Sequence, residues 1–421
     1  MGKKRKPLSA GSVVAIVAGV LATACALFAM ISIRGSAKIL TMDAEHLVGA
    51  VSSFMNPQTQ ETVQPQVTAN VVATVQAAAP TVMPGGQSGN NSGGNAQNGN
   101  TNAASEPPAI IRNLTVTLTG KLVIDSKLRS SVPNTQNGAA TLFEGISDEL
   151  HADINVALLD TAAESENSDW WARALQYAGI DAAIPMAKNS FSGSLEDTSR
   201  TLNSCGIGLT GAGNGSMMTV NGVSVAFLTV AEAGNTADGQ IPAYDMNTAR
   251  NRIQALRANG AQVVIVAVNW RKSTAAIPTE QQKKIAQELC DAGADIIAGE
   301  REGTVGHAQF LTSGSSGRQS LVIWSMGTLL GSAREERSQV SGFLMHVQVS
   351  YNSRTGVSFG KIEYTPTYIW GQDLSGAYRY RVIPSAQAAP AEMNTKQTEV
   401  MGRALKLVQD EMDKGIALQR Y

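Results

Sequence analysis

An excess of charge of either sign is missing from this chain: 33 Lys plus Arg stand against 34 Asp plus Glu, a formal net charge of -1 over 421 residues. A protein that neutralises many phosphates needs a basic surplus, so nucleic acid is not expected as a partner. Cysteine is scarce too. Cys25, Cys205 and Cys290 show no metal-type spacing and cannot build a framework of bridges. They leave either a single Cys205–Cys290 pair or, as the composition favours, two buried free thiols. Histidine is equally thin, with His46, His151, His307 and His346 the only four.

Charged side chains are absent from Gly11 to Ile33. At 1.5 Å of rise per residue that run is long enough to cross the hydrocarbon core of a bilayer. Lys3, Lys4, Arg5 and Lys6 come just before it, which predicts a cytoplasmic basic tail over 1–10 and an uncleaved single-pass transmembrane anchor over 11–33. Everything after Arg34 is then extracytoplasmic. A cleavable signal peptide ending near Gly35-Ser-Ala37 is the rival, but its apolar region would be unusually long. Residues 34–76 form a weakly ordered juxtamembrane segment in this reading. Over 77–110 the composition turns to Gly, Asn, Ser, Gln and Pro, which cannot bury enough apolar surface to offset the entropy of ordering, so a disordered, flexible linker is expected.

Beyond the linker, strand and helix signals alternate. Leu114 to Leu118 alternates strictly and predicts a half-buried strand leading into Gly120-Lys121. Ser168 can cap a helix that stops at Gly179, Ala182 to Ile184 reads as a strand, and a helix from Ser194 ends at Gly206. Asn221-Gly222 between two β-prone runs marks a tight hairpin. Val263 to Val268, Asp295 to Ala298 and Leu321 to Ser325 read as strands, the first buried on both faces. Between the first two, Thr279 and Gln282 make a capping box for a helix running to Ala292. The order argues for an α/β domain over 111–385 with helices on both faces of its sheets. Residues 386–421 carry an amphipathic helix, from Asn394 to Leu418, with Met401, Leu405, Val408, Met412 and Ile416 on one face.

In order and spacing, Val263 to Leu329 resembles the CapA family of capsule and poly-gamma-glutamate synthesis proteins. The resemblance rests on Asn269-Trp270-Arg271, on Ala292-Gly-Ala-Asp295 leading into Gly299-Glu300-Arg301-Glu302-Gly303, and on Trp324-Ser-Met-Gly327. It implies a four-layer α/β/β/α metallophosphoesterase-like sandwich, with ligands beyond the carboxyl ends of the strands. At its metal-site motifs this chain departs from the family. The family's Gly-Asp is Gly120-Lys121 here, and its Asn-Leu-Glu corresponds to Leu158-Leu159-Asp160. Ala187-Lys188-Asn189-Ser190 stands where Ala-Asn-Asn-His is expected, Asn269 replaces the histidine of His-Trp-Gly, and Gly299-Glu300-Arg301-Glu302-Gly303 stands where Gly-His-His-Pro-His is expected.

Permanent cations at ligand positions repel divalent ions and offer no lone pair, so neither metal nor other cofactor, nor catalysis by the family's route, is expected. Lys121, Lys188, Arg271 and Arg301 would instead line an anion-binding remnant, with Asp160, Asn189, Asn269, Glu300 and Glu302 as the remaining motif positions. Alternatively, Asp160, Glu300 and Glu302 pair with those cations and hold the loops in a salt-bridged remnant. Two functions remain in view. One is a non-catalytic, membrane-anchored component that engages the lipid bilayer and an anionic envelope polymer or polymer-synthesis subunits; the other is a divergent hydrolase or transferase acting on such a polymer.

Overall fold

The computed structural model describes residues 108–133, 135, 137–160, 169–186, 195–232, 241–271, 277–332, 340–374 and 377–420. The anchor, the juxtamembrane segment and nearly all of the linker lie outside the described residues, as do Lys188 and Asn189. Among those described, no helix is long and apolar enough to cross a membrane.

The strands fall into two sheets in three consecutive groups. The first four, β1 (Ile111–Leu122), β2 (Ile154–Leu159), β3 (Ala182–Pro185) and β4 (Gly208–Leu209), pair in parallel. The next six build a second sheet: β5 (Ser216–Val220), β6 (Val223–Ala231), β7 (Val263–Asn269), β8 (Ile296–Glu300), β9 (Ala308–Thr312) and β10 (Gln319–Ile323). The chain then returns to the first sheet with β11 (Thr328–Leu330), β12 (Ser341–Asn352), β13 (Gly356–Leu374), β14 (Ala377–Pro384) and β15 (Gln419–Arg420). Sheet orders are β14-β13-β12-β1-β2-β3-β4 and β5-β6-β7-β8-β10-β9. The helices are α1 (Ser126–Ser131), α2 (Trp170–Ala178), α3 (Leu195–Ser204), α4 (Met246–Ala258), α5 (Glu280–Ala292) and α6 (Thr395–Met412).

Alternation along each strand sorts these elements into layers, because successive side chains leave a sheet on opposite faces. Leu114, Val116 and Leu118 of β1 meet Val225 and Phe227 of β6 and Val263 and Ile265 of β7 in a core between the sheets. Facing outward, Ala226, Leu228, Val264 and Val266 pack on Ile253 of α4 and on Ile285 and Leu289 of α5. Leu122, Leu159 and Ala183 pack on Trp171 and Leu175 of α2, Leu202 of α3 and Met401 of α6. The result is the expected four-layer α/β/β/α sandwich. Each Val, Leu, Ile or Phe fully buried in these cores contributes about 1.5–3 kcal/mol relative to exposure.

Local signals fix most boundaries. α5 starts on a complete Thr279/Gln282 capping box and stops at Gly293 with φ 106°, while α2 stops at Gly179 with φ 85°. Asn221 and Gly222 both adopt positive φ at the β5–β6 turn, as a type I′ hairpin requires. Cys205 and Cys290 are buried free thiols. Two features differ from expectation. β13 continues to Leu374 and is followed by β14, in a stretch where the sequence pattern marks no strand. The C-terminal helix ends at Met412 rather than Leu418, with Ala404 buried in place of Leu405. A Cβ on Gly415 would stand 2.0 Å from the Ala308 carbonyl oxygen, so the chain must leave its helix to pass β9, where the Ile416 N–H bonds that carbonyl at 3.0 Å. Val408 and Met412 of α6 nevertheless enter the core between the sheets, so the helix is docked on its own domain.

The Asp of Gly-Ala-Asp proves structural. Asp295 is completely buried at the entry to β8 and accepts from the Val264 N–H at 2.7 Å, from the Arg257 guanidinium at 2.5 Å and from Arg318. Removing one partner of a buried charge cluster leaves the others uncompensated. Asp295→Ala should therefore lose about 3 kcal/mol or more of unfolding free energy in urea titration, and a loss below about 1 kcal/mol would show that the cluster is dispensable.

Candidate functional site

The carboxyl ends of β1, β2, β7 and β8 meet at one end of the sandwich. Beyond Gly120, β1 runs parallel to both neighbours, Lys121 lying in register with Thr328 of β11 and Leu158 of β2. A Cβ on Gly120 would stand 2.8 Å from the carbonyl oxygens of Met326 and Gly327, so glycine is what lets the strand pass. That passage delivers Lys121, whose Nζ lies 3.2 Å from Asp160 Oδ2 and 3.5 Å from Glu300 Oε1. Asp160 directly follows β2, and its N–H donates to the Leu122 carbonyl at 2.9 Å. Glu300 ends β8 in the other sheet and is 2 % exposed. Its Oε1 also accepts the Gly303 N–H at 2.5 Å, in a turn where Glu302 and Gly303 have φ of 45° and 73°. Lys121 thus ties one sheet to the other through a buried carboxylate.

The charges balance locally. Burial alone would lower the Lys121 pKa, but the carboxylates of Glu300 and Asp160 outweigh it and hold the ammonium above its ordinary value. Burial pushes the Glu300 carboxyl up, and Lys121 opposes the shift. Arg301 is 8 % exposed; its N–H donates to Ser325 Oγ at 3.1 Å. Burial lowers its pKa against the pull of Glu232, Glu302, Glu411 and Glu300. Arg271 is exposed, and its N–H donates to Glu232 Oε2 at 2.9 Å. Asn269, at the end of β7, is buried and donates its side-chain N–H to the Met186 carbonyl.

Of the predicted positions, then, Lys121, Asp160 and Glu300 come together, with Arg301 on the adjoining turn, Glu302 exposed beside it and Arg271 turned to solvent. Sequence reasoning missed Glu232 and Glu411. Glu232 had a legible signal, since it directly follows the buried strand β6. Glu411 had none, because it reaches Arg301 from the last turn of α6, far away in the chain.

Trp270 and Trp324 are packing residues: both are fully buried, and the Trp270 indole N–H donates to the Trp324 carbonyl at 2.9 Å. A Cβ on Gly299 would stand 2.2 Å from that indole nitrogen, which explains glycine there. His307 lies against Trp324, ring centroids 6.4 Å apart, and burial lowers its pKa. His346 sits on β12 between the hydroxyls of Thr117 and Thr365, each 3.0 Å from a ring nitrogen.

Two divalent ions held close together need converging imidazoles and carboxylates. Here an ammonium stands between the two carboxylates, and among the described residues no three His, Cys, Asp or Glu side chains converge as a metal site requires. The described side chains do not fit a metal pair.

Fold and motif positions together define a capsule-synthesis type of α/β protein. The sequence model of the family described as bacterial capsule synthesis protein PGA_cap matches residues 115–332, just over half of the chain, and the chain belongs to that family. No curated protein matches it. Among solved structures it is similar to NAD nucleotidase (NadN) of Haemophilus influenzae, at 10% identity over 70% of this chain and 63% of that one, with a TM-score of 0.39. The chain therefore spans less than two thirds of that protein's length. It is also similar to TT1561 of Thermus thermophilus, at 13% identity over 59% of this chain and 99% of that one, TM-score 0.35. A third is the Thermus thermophilus sulfate thiohydrolase SoxB, solved with glycerol, at 13% identity over 61% and 43%, TM-score 0.29.

Two pH effects follow. Burial, reinforced by His151, pushes the His346 pKa down to about 4, so the unfolded chain takes up a proton that the folded chain refuses. Stability should fall as pH drops from about 6.5 to 4, and His346→Gln should flatten that slope in denaturation measured at several pH values. In Lys121→Met, Glu300 stays buried without its counter-charge and its pKa rises further. The native state then holds the extra proton, so the stability of this variant should decline as pH rises through the raised pKa, more steeply than in the wild type.

Proposed function

We propose that this chain is a non-catalytic, membrane-anchored component of envelope-polymer synthesis, in which an internal ion pair replaces the metal centre the family resemblance implies. The observation that carries the reading is Lys121 seated between Asp160 and Glu300, at positions matching metal-binding motifs. A lysine bridging the sheets supplies the cohesion a metal would, without polarising a substrate or activating water. The apolar run Gly11–Ile33 and the basic residues before it support a single-pass anchor with the domain outside the cytoplasm. Contact with the bilayer, and with an anionic polymer or synthesis subunits, belongs to the same proposal.

For the site itself, charge balance favours the salt-bridged remnant over an open anion cleft. Lys121 already faces two carboxylates, and Arg301 lies in the field of four. The full chain, purified from cells grown with added manganese, iron and zinc, should carry well below one metal ion per molecule by elemental analysis. Near-stoichiometric metal would end the non-catalytic reading. If the chain retains poly-gamma-glutamate in a co-sedimentation assay, Lys121→Ala combined with Arg301→Ala should retain it equally. Loss of retention in a folded double variant would make the remnant an anion site instead.

A further inference from the structure

A groove of about 650 Å³ lies far from Lys121 in the sequence, where the two sheets part along one side of the sandwich. One wall is the first part of β13. Its residues 356–359 and 362 pair with β12 on one side, with a bulge at 360–361. On the other side β14 pairs only with 367–374 and β15 only with Glu363 and Tyr364, so 356–362 has no strand beside it among the described residues. The opposite wall is Phe310 of β9 with Ser316, Gly317 and Arg318 and the first residue of β10, Gln319, and the tail residues Ile416, Ala417 and Leu418 also line the groove. Phe310 and Phe359 meet across it with ring centroids 5.5 Å apart.

Three properties say what would fit. First, the open edge is a row of backbone donors and acceptors roughly 20 Å long, a template for an added strand. The chain itself uses the adjoining stretch of this edge, where Gln419 and Arg420 add in parallel. Second, Phe310, Val357, Phe359, Ile362 and Leu418 offer apolar surface to alternate side chains of an extended segment. Third, the wall is electrostatically one-sided. Among the described residues Arg318 is the only charged one lining the groove, and Asp295, which it contacts, is completely buried, so the charge the groove itself presents is the guanidinium.

We propose that this groove is a docking site for an extended peptide segment of a partner protein, which adds as a strand beside residues 356–362 and sets an acidic side chain near Arg318. Main-chain hydrogen bonds to the edge supply affinity, and the apolar floor with the cation supplies selectivity. The proposal is independent of the remnant site, since no residue is common to the two.

A phage-displayed random dodecapeptide library selected on the full chain in detergent provides the probe, with enriched sequences resynthesised carrying fluorescein and titrated by anisotropy. The expected result is enrichment of alternating apolar residues with an Asp or Glu at one end. Val357→Glu should weaken binding at least tenfold. Ser316→Glu, in an exposed turn where folding is not at stake, should weaken it severalfold, and Lys121→Met should leave it unchanged. Failure to enrich any peptide would overturn the proposal, as would binding indifferent to both glutamate variants. Self-association of the chain that Val357→Glu abolishes, without peptide binding, would assign the edge to a second copy instead. Competition by poly-gamma-glutamate equal to that of the peptides would assign it to a polymer.

Discussion

A carboxylate as buried as Glu300 keeps a charge only if a cation is held against it, and Lys121 is that cation. The pair is also geometrical. Lys121 comes from the central strand of one sheet and Glu300 from the second sheet, so their contact spans the gap that the apolar core fills lower down. Around it the turn after β8 is held by the Gly303 N–H on Glu300 and the Arg301 N–H on Ser325, and the end of β7 by the Trp270 N–H on the Glu300 carbonyl. Asp160 supplies the second carboxylate at 25 % side-chain exposure. The ammonium that stabilises the loops lies between the two carboxylates, at positions matching the family's metal-binding motifs.

The opposite ends of the same strands carry a different charge cluster with a different task. Asp295 opens β8, joins α4 through Arg257 and reaches the turn before β10 through Arg318. One five-residue strand therefore has a buried acid at each end: Asp295 just before it with two arginines, and Glu300 finishing it with one lysine. Among the described residues, Arg318 of this cluster is also the one charged residue that lines the groove beside Phe310. Family membership and chemistry thus separate cleanly, since the matched span includes both acids while the groove is completed by β13 and the tail, beyond residue 332.

Much of the domain was legible in the sequence wherever a local signal existed. Asn221-Gly222, the Thr279/Gln282 box and the glycines at 179 and 293 act through backbone geometry within a few residues, and each ends or starts an element as read. The doubly buried β7 was visible as an unbroken apolar run. Legibility failed for β13 and β14, whose length is fixed by partners on neighbouring strands, and for the end of α6, which is set by the close passage of Gly415 over Ala308. At the site, motif spacing identified Lys121, Asp160, Glu300 and Arg301, and strand position could have identified Glu232, but nothing local points from Glu411 to Arg301.

The sequence by itself determined the alternation of strands and helices and the replacement of the family's metal-binding residues at the motif positions, because periodicity, caps and residue chemistry are properties of short stretches. Which of those charges would meet was decided only in three dimensions. Lys121 and Glu300 are far apart along the chain and on different sheets, and only the packing of one sheet on the other brings them within 3.5 Å. Arg271 carries the same kind of charge on an equally suggestive motif, yet it points to solvent, because the direction of a side chain after a strand depends on the neighbours that close over it.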